Sequence, residues 1–166
     1  IFITAEIGIN HNGSMEICKK LIDAAKNAGC DAVKFQKRNI EKVYTSEILD
    51  SPRESPWGKT QRDQKNGLEF GQSEYEEIND YCKKKDIEWY ASAWDLDSQD
   101  FLKQFNLKHN KIASAMTIYL ELAKKIAEEK KHTLISTGMT TYDEIQKVVD
   151  IFKLNQCSFE LMHTVS

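Results

Sequence analysis

Glu6 sits in a strand-like run, IFITAEIG, that breaks at once into the turn residues Asn10, His11, Asn12 and Gly13. A core strand gains nothing from a carboxylate, whereas a carboxylate at a strand end can move a proton or orient a hydroxyl. DAVKFQ, residues 31–36, repeats the device with Lys34 and Gln36. Alternation along an extended chain puts Phe2, Thr4, Glu6 and Gly8 on one face of the first strand, and Ile1, Ile3, Ala5 and Ile7 on the other. In the second strand Ala32, Lys34 and Gln36 oppose Val33 and Phe35. Lys34 beside Glu6 is either a structural ion pair or part of a ligand site. Later segments favour a ligand. Ser92 in ASAW, Lys111 and Ser114 in KIAS, and Ser136 and Thr137 in STGM each fall at or just past the carboxyl end of an expected strand. Two lysines among several hydroxyls suit an anion with many oxygens, a phosphate or a carboxylate. Any one of these hydroxyls also serves as a turn former or helix cap; repetition over four strands favours the site. Lys111 and Ser114 have opposite parity, so both face one site only if the strand ends or bulges between them.

A strand–helix rhythm positions these residues. Strands are expected at 2–8, 31–36, 88–94, at a segment ending in KIAS (111–114), at 132–138 and at 158–165. Ser14 caps a helix that runs to about Ala28 and stops at Gly29. Ser73 with Glu76, and Thr141 with Glu144, have the spacing of capping boxes. Further helices are expected over 97–105, after Asp95, and over 118–130. Strands alternating with helices at this spacing form a parallel sheet through right-handed crossovers. Two α/β folds compete: an open doubly wound sheet, and a (β/α)8 barrel of the TIM type represented by about its first six β/α units. No GxGxxG turn follows the first strand, which favours the barrel. Residues 37–72, with both prolines of the chain, separate the second strand from its helix. Such an excursion at the carboxyl end of a barrel strand is either a functional loop or a solvated one.

With 166 residues the chain has room for a real core, and 40% hydrophobic with 30% charged residues is ordinary for a globular domain. A net charge of −3 gives no electrostatic case for nucleic acid. No apolar run is long enough for a bilayer and no basic-then-apolar leader opens the chain, so a cytoplasmic protein without a membrane partner is expected. Cys18, Cys30, Cys82 and Cys157 form no CxxC pair and read as reduced thiols; no two histidines have zinc-site spacing. His11 is a rim contact or a turn residue. His163 alternates with Phe159, Leu161 and Val165 and reads as a core histidine. Trp89, Tyr90 and Trp94 read as packing, and AEEKKH, 127–132, as an exposed helix end.

Taken in order, AEIGINHNG, DAVKFQ, ASAWD, KIAS and STGM resemble the sialic acid synthase family, which includes N-acetylneuraminate, legionaminate and pseudaminate synthases. The resemblance implies a (β/α)8 barrel in which phosphoenolpyruvate adds through C3 to the open-chain aldehyde of an N-acyl-hexosamine, water attacks C2, and phosphate leaves. It implies that Glu6 and Gln36 work at the sugar as catalytic residues, and that Lys34, Ser92 and Lys111 bind the carboxylate end of phosphoenolpyruvate. Ser114 and Ser136, with Lys111, would hold the phosphate, with Ser166 of HTVS nearby. It also implies a divalent ion, Mn²⁺ or Mg²⁺, whose two histidine ligands belong to later motifs and are not in this chain. A homodimer built with a C-terminal antifreeze-like domain belongs to the full-length family member. On that basis this chain is expected to be a truncated, inactive part of the enzyme. Family members often follow KI-x-S with glycine and an acid. Ala115 and Met116 stand here instead, which favours a legionaminate-type acceptor over N-acetylmannosamine.

Two other functions fit the same residues. A Schiff-base aldolase would use Lys34 or Lys111 as nucleophile. A non-catalytic anion-binding or structural fragment would use the same rim without turnover, its open sheet edges inviting association.

Overall fold

The structure, a computed structural model, describes residues 1–165. Parallel strands β1 (Thr4–Gly8), β2 (Ala32–Lys37), β5 (Glu88–Ala93), β6 (Asn110–Ile112), β7 (Thr133–Ser136) and β8 (Phe159–Met162) form one six-stranded sheet in that order. A doubly wound sheet reverses its strand order at a switch point. No reversal occurs here, so the chain has the topology of a partial (β/α)8 barrel covering about six β/α units. Contacts divide it into two compact units, Ile1–Trp89 and the residues from Tyr90 onward.

In the first unit, helix α1 (Met15–Asn27) starts at Ser14, whose side chain accepts from the Ile17 N–H, and ends before Gly29 at φ +81°. Helix α5 (Gln72–Lys85) packs beside α1. Its capping carboxylate is Glu74, which accepts from the Gly71 N–H at 3.0 Å, so the expected Ser73–Glu76 box lies two residues too late. The core joins Ile22, Val33, Phe35, Tyr75, Ile78 and Trp89; Trp89 packs edge-on to Phe35. Ile1 and Ile3, expected on the packed face of the first strand, precede β1 and stay exposed, while Ile7 is buried.

The excursion after β2 is ordered structure. It holds α2 (Ile40–Val43), α3 (Ser46–Leu49), a hairpin of β3 (Pro52–Ser55) and β4 (Gly58–Thr60), and α4 (Gln61–Leu68). Thr60 and Asp63 cap α4 reciprocally. Arg62 bonds Glu41 and Asp50, and Lys65 lies 4.1 Å above the Tyr44 ring. These exposed and half-exposed charges tie the short elements of the excursion together.

In the second unit, Asp95 caps α6 (Leu96–Lys103), a 3₁₀ turn (Ser114–Met116) leads to α7 (Leu120–Glu128), and Thr141 with Glu144 opens α8 (Tyr142–Leu154) through a capping box. Tyr90, Ile112, Leu122, Ile126, Ile135 and Phe152 make its core. The run 127–132 is a helix end with Glu128 and Lys130 exposed, but one of its residues departs from that expectation, and a second expectation fails. Glu129, in the run expected to be an exposed helix end, is only 6% exposed at its side chain and accepts bonds from the buried amides of Gln99 and Asn110, at 2.9 and 3.0 Å. His163, expected in the core, lies past β8 and is exposed. Among the described residues β8 has a sheet neighbour on one side only, its Glu160, Leu161 and Met162 are exposed, and Leu161 and His163 line an open groove with Tyr142 and Ile145 of α8.

Candidate functional site

Two clusters of the expected residues form, one in each unit. In the first unit, Glu6 and Lys34 are register partners across β1 and β2, and their side chains meet at 2.7 Å. Lys34 is buried with 9% of its side chain exposed, while Glu6 keeps 55% exposed. The half-exposed Glu6 carboxylate stays within reach of a ligand while the Lys34 ammonium is buried against it. The β1 register slips between Glu6 and Gly8, and Gly8 takes φ +54°. A Cβ there would lie 3.2 Å from both Glu6 Oε1 and Gln36 Nε2, so this glycine lets the two side chains close over the strand exit. The structure thus brings Glu6, Lys34 and Gln36 together.

His11 follows in the turn and is buried. Its ring stacks on Phe70 at 3.8 Å between centroids and 16° between planes, and its Nδ1 accepts from the Gly13 N–H at 3.1 Å. Burial, with the Arg38 charge adding to it, pushes the imidazole down to about 4 against a bond to the Gly8 backbone that favours the proton. At neutral pH His11 is an uncharged turn staple, the second of the two roles open from sequence.

In the second unit, Ser92 of β5 and Lys111 of β6 are register partners. Lys111 is buried, donates to the Ile112 carbonyl at 2.7 Å, and donates to Ser136 Oγ at the end of β7. Strand β6 stops at Ile112, which removes the parity conflict: Ser114, in the 3₁₀ turn, accepts from the Gly138 N–H at 3.0 Å. Thr117 is fully buried and donates to the Ser136 carbonyl at 2.7 Å, fixing the end of β7. Ser92 Oγ is buried and has no hydrogen-bond partner among the described residues. A hydroxyl left so costs roughly 1–3 kcal/mol, which a ligand oxygen would recover. Ser92, Lys111, Ser114 and Ser136 therefore make a polar set of one cation and three hydroxyls. Ser166 lies outside the described residues.

The NeuB family model matches residues 21–166, most of the chain. The chain belongs to the NeuB family. It is 37% identical to an N-acetylneuraminate-9-phosphate synthase of Drosophila melanogaster, covering 100% of this chain and 45% of that protein. It is 32% identical to an N,N'-diacetyllegionaminic acid synthase of Campylobacter jejuni, over 92% of this chain and 47% of the relative. The crystal structure of the N-acetylneuraminic acid synthetase of Leptospira borgpetersenii in complex with citrate superposes with a TM-score of 0.87 at 28% identity, covering 100% of this chain and 54% of that one. The chain thus spans less than half the length of these curated relatives.

Among the described residues of this NeuB-family chain, no three His, Cys, Asp or Glu side chains are placed to hold a metal ion. Glu6 is bound to Lys34, and His11 turns Nδ1 toward a backbone N–H, so neither starts such a centre. The described residues do not fit a divalent ion. Glu69, Phe70, Tyr75 and Thr117 support the two clusters yet carried no sequence signal. Glu69 meets Arg38 across 31 positions of chain, beyond the reach of any periodic pattern.

Proposed function

We propose that the full-length protein is a phosphoenolpyruvate-dependent nonulosonic acid synthase of the sialic or legionaminic type. C3 of phosphoenolpyruvate bonds to the aldehyde carbon of an open-chain N-acyl-hexosamine, water adds at C2, the C2–O bond breaks and inorganic phosphate leaves with that oxygen. The observation that carries this reading is the buried Lys111 bonded to Ser136, with the unpartnered Ser92 hydroxyl in register beside it. A preorganised cation among hydroxyls at strand ends is what a phosphorylated, carboxylated substrate requires. In this proposal Lys111, Ser114 and Ser136 take the phosphate, with Ser166 near it, and Lys34, Ser92 and Lys111 take the carboxylate. Glu6 and Gln36 act on the acceptor, Glu6 moving or orienting a proton on its hydroxyls. A divalent ion, Mn²⁺ or Mg²⁺, goes with the reading on ligands outside the described residues, and no step here runs through it. A homodimer in the cytoplasm, where phosphoenolpyruvate is made, completes the proposal.

The acceptor stays at the level of an N-acyl-hexosamine. Ala115 and Met116 favour a legionaminate-type sugar, while the Drosophila relative is named for a 9-phosphate product. The Schiff-base alternative is weakened because both lysines are engaged: Lys34 by a carboxylate, Lys111 by a carbonyl and a hydroxyl. A Schiff-base nucleophile must turn its amine toward a substrate carbonyl, and these contacts point both amines at groups of the chain itself.

Incubation of the full-length protein with phosphoenolpyruvate, Mn²⁺ and a panel of N-acyl-hexosamines should release phosphate, and K111M should abolish it. Silence with every acceptor sinks the proposal. Borohydride trapping of a protein–pyruvate adduct would establish the aldolase instead. Phosphoenolpyruvate binding without turnover would establish the anion-binding reading.

A further inference from the structure

The exits of β1 and β2 are held by one dipeptide that none of the expected roles includes. Glu69 Oε1 accepts from Lys37 Nζ at 3.1 Å and from the Arg38 backbone N–H at 2.9 Å; Oε2 accepts from Arg38 Nε at 3.1 Å. Phe70 adds its carbonyl, which accepts from Lys37 Nζ at 2.7 Å. The three charged side chains are 6–13% exposed, so this is a buried ionic cluster. On the other strand, the Phe70 ring stacks on His11, which staples Gly13 to the turn that leaves β1. The same turn is pressed against the excursion: a Cβ on Gly13 would lie 2.2 Å from the Gly67 carbonyl. Tyr75 completes the grip by donating to the Gln36 carbonyl at 2.7 Å. Burial, with the Glu69 charge adding to it, holds the Tyr75 phenol well above its ordinary value, so it remains a donor.

Buried ion clusters contribute little net stability against an apolar packing of the same volume. What Glu69 supplies is geometry. It fixes Lys37 and Arg38, the residues immediately after Gln36, while Phe70 fixes the turn that begins at Ile9, three residues after Glu6. We propose that Glu69 and Phe70 form a clamp across both strand exits that holds Glu6, Lys34 and Gln36 in their mutual register, making them positioning residues for the acceptor side of the reaction. The proposal deepens the synthase reading and rests on it for what the exits do. The ordered excursion then exists to deliver residues 67–70 to two strand ends at once.

The test uses the full-length protein with E69Q, which keeps shape and removes charge, and F70L, which keeps bulk and removes the stack. Both should lower kcat/KM for the acceptor by about 10- to 100-fold, the scale set by misplacing a reacting group by an ångström or less. The phosphoenolpyruvate dissociation constant should rise by a smaller factor than acceptor kcat/KM falls, because of its proposed ligands only Lys34 lies within the clamp, whereas Lys111, Ser114 and Ser136 do not. Acceptor kcat/KM within about twofold of wild type in either folded variant overturns the proposal. So does a uniform drop in kcat with both KM values unchanged, which is what mere loss of folded protein gives. A second measurement stands apart from turnover. The Arg38 and Gly13 amides should be protected from hydrogen exchange in the wild type; E69Q should speed the first and F70L the second by about tenfold or more. Unprotected amides in the wild type, or exchange unaltered by both substitutions, overturn the clamp even if neither variant can be assayed. A wild-type protein that releases no phosphate defeats the synthase reading and the acceptor role together, while protected amides would still show the clamp's geometry.

Discussion

His11 offers a sharp test of the strand-exit geometry because its burial has a measurable cost in acid. An ordinary imidazole titrates near 6.5, and in the folded chain His11 is pushed down to about 4. Between these values the unfolded chain binds a proton that the folded chain refuses, so stability falls as the pH drops through that window. The slope is about 1.4 kcal/mol per pH unit, and the whole window amounts to about 3 kcal/mol, fully present above pH 6.5 and gone at pH 4. Substituting His11→Phe keeps an aromatic face against Phe70 and removes the titration. Urea unfolding of wild type and H11F at half-unit steps from pH 7.5 to 4 isolates the effect, since every carboxylate titrates alike in both. The wild type should lose about 3 kcal/mol more than the variant across the window, and its His11 Cε1–H resonance should stay in the neutral position down to about pH 4.5. Parallel stability curves, or a His11 midpoint near 6.5, would refute the claim that this ring is buried, stacked and neutral.

Three further outcomes follow from the packing. Glu129→Ala strips the buried amides of Gln99 and Asn110 of their shared acceptor and should cost roughly 2–4 kcal/mol in urea unfolding, with E129Q recovering part of it. Gly67→Ala would put a Cβ 2.1 Å from Trp57 Cγ and should lower stability by about 1–3 kcal/mol while quickening proteolysis within the β3–β4 hairpin. Cys18 and Cys82, buried and with thiols pushed up to about 12, should resist a thiol reagent at pH 8 until the protein is denatured. Reaction of either at the rate of a free thiol would contradict the α1–α5 packing.

Local patterns determined a good deal. Alternation set Lys34 opposite Val33 and Phe35, and register then delivered it to Glu6, because the period of two is a property of the extended chain itself. Ser14, Asp95 and the Thr141–Glu144 pair announced their helices, since capping is a contact within one turn. The strand–helix rhythm carried the fold class for the same reason: each unit is short and self-contained. The parity of Lys111 and Ser114 left two ways for both to face one site, a strand end or a bulge between them, and β6 ends at Ile112.

What the tertiary structure alone decided lies wherever partners are far apart in the chain. Glu69 finds Arg38, Phe70 finds His11 and Glu129 finds Asn110 through packing that no short period encodes. The excursion after β2 looked like loop because its helices and strands are too short to show periodicity; contacts across it, such as Arg62 with Asp50, make it ordered. His163 failed in the opposite sense: its alternation was apolar, but burial needs a covering element, and His163 lies past β8, where Glu160, Leu161 and Met162 are themselves exposed. Sequence sets which side chains a segment can offer to a face; only the assembled chain decides whether that face meets a partner, a ligand or water.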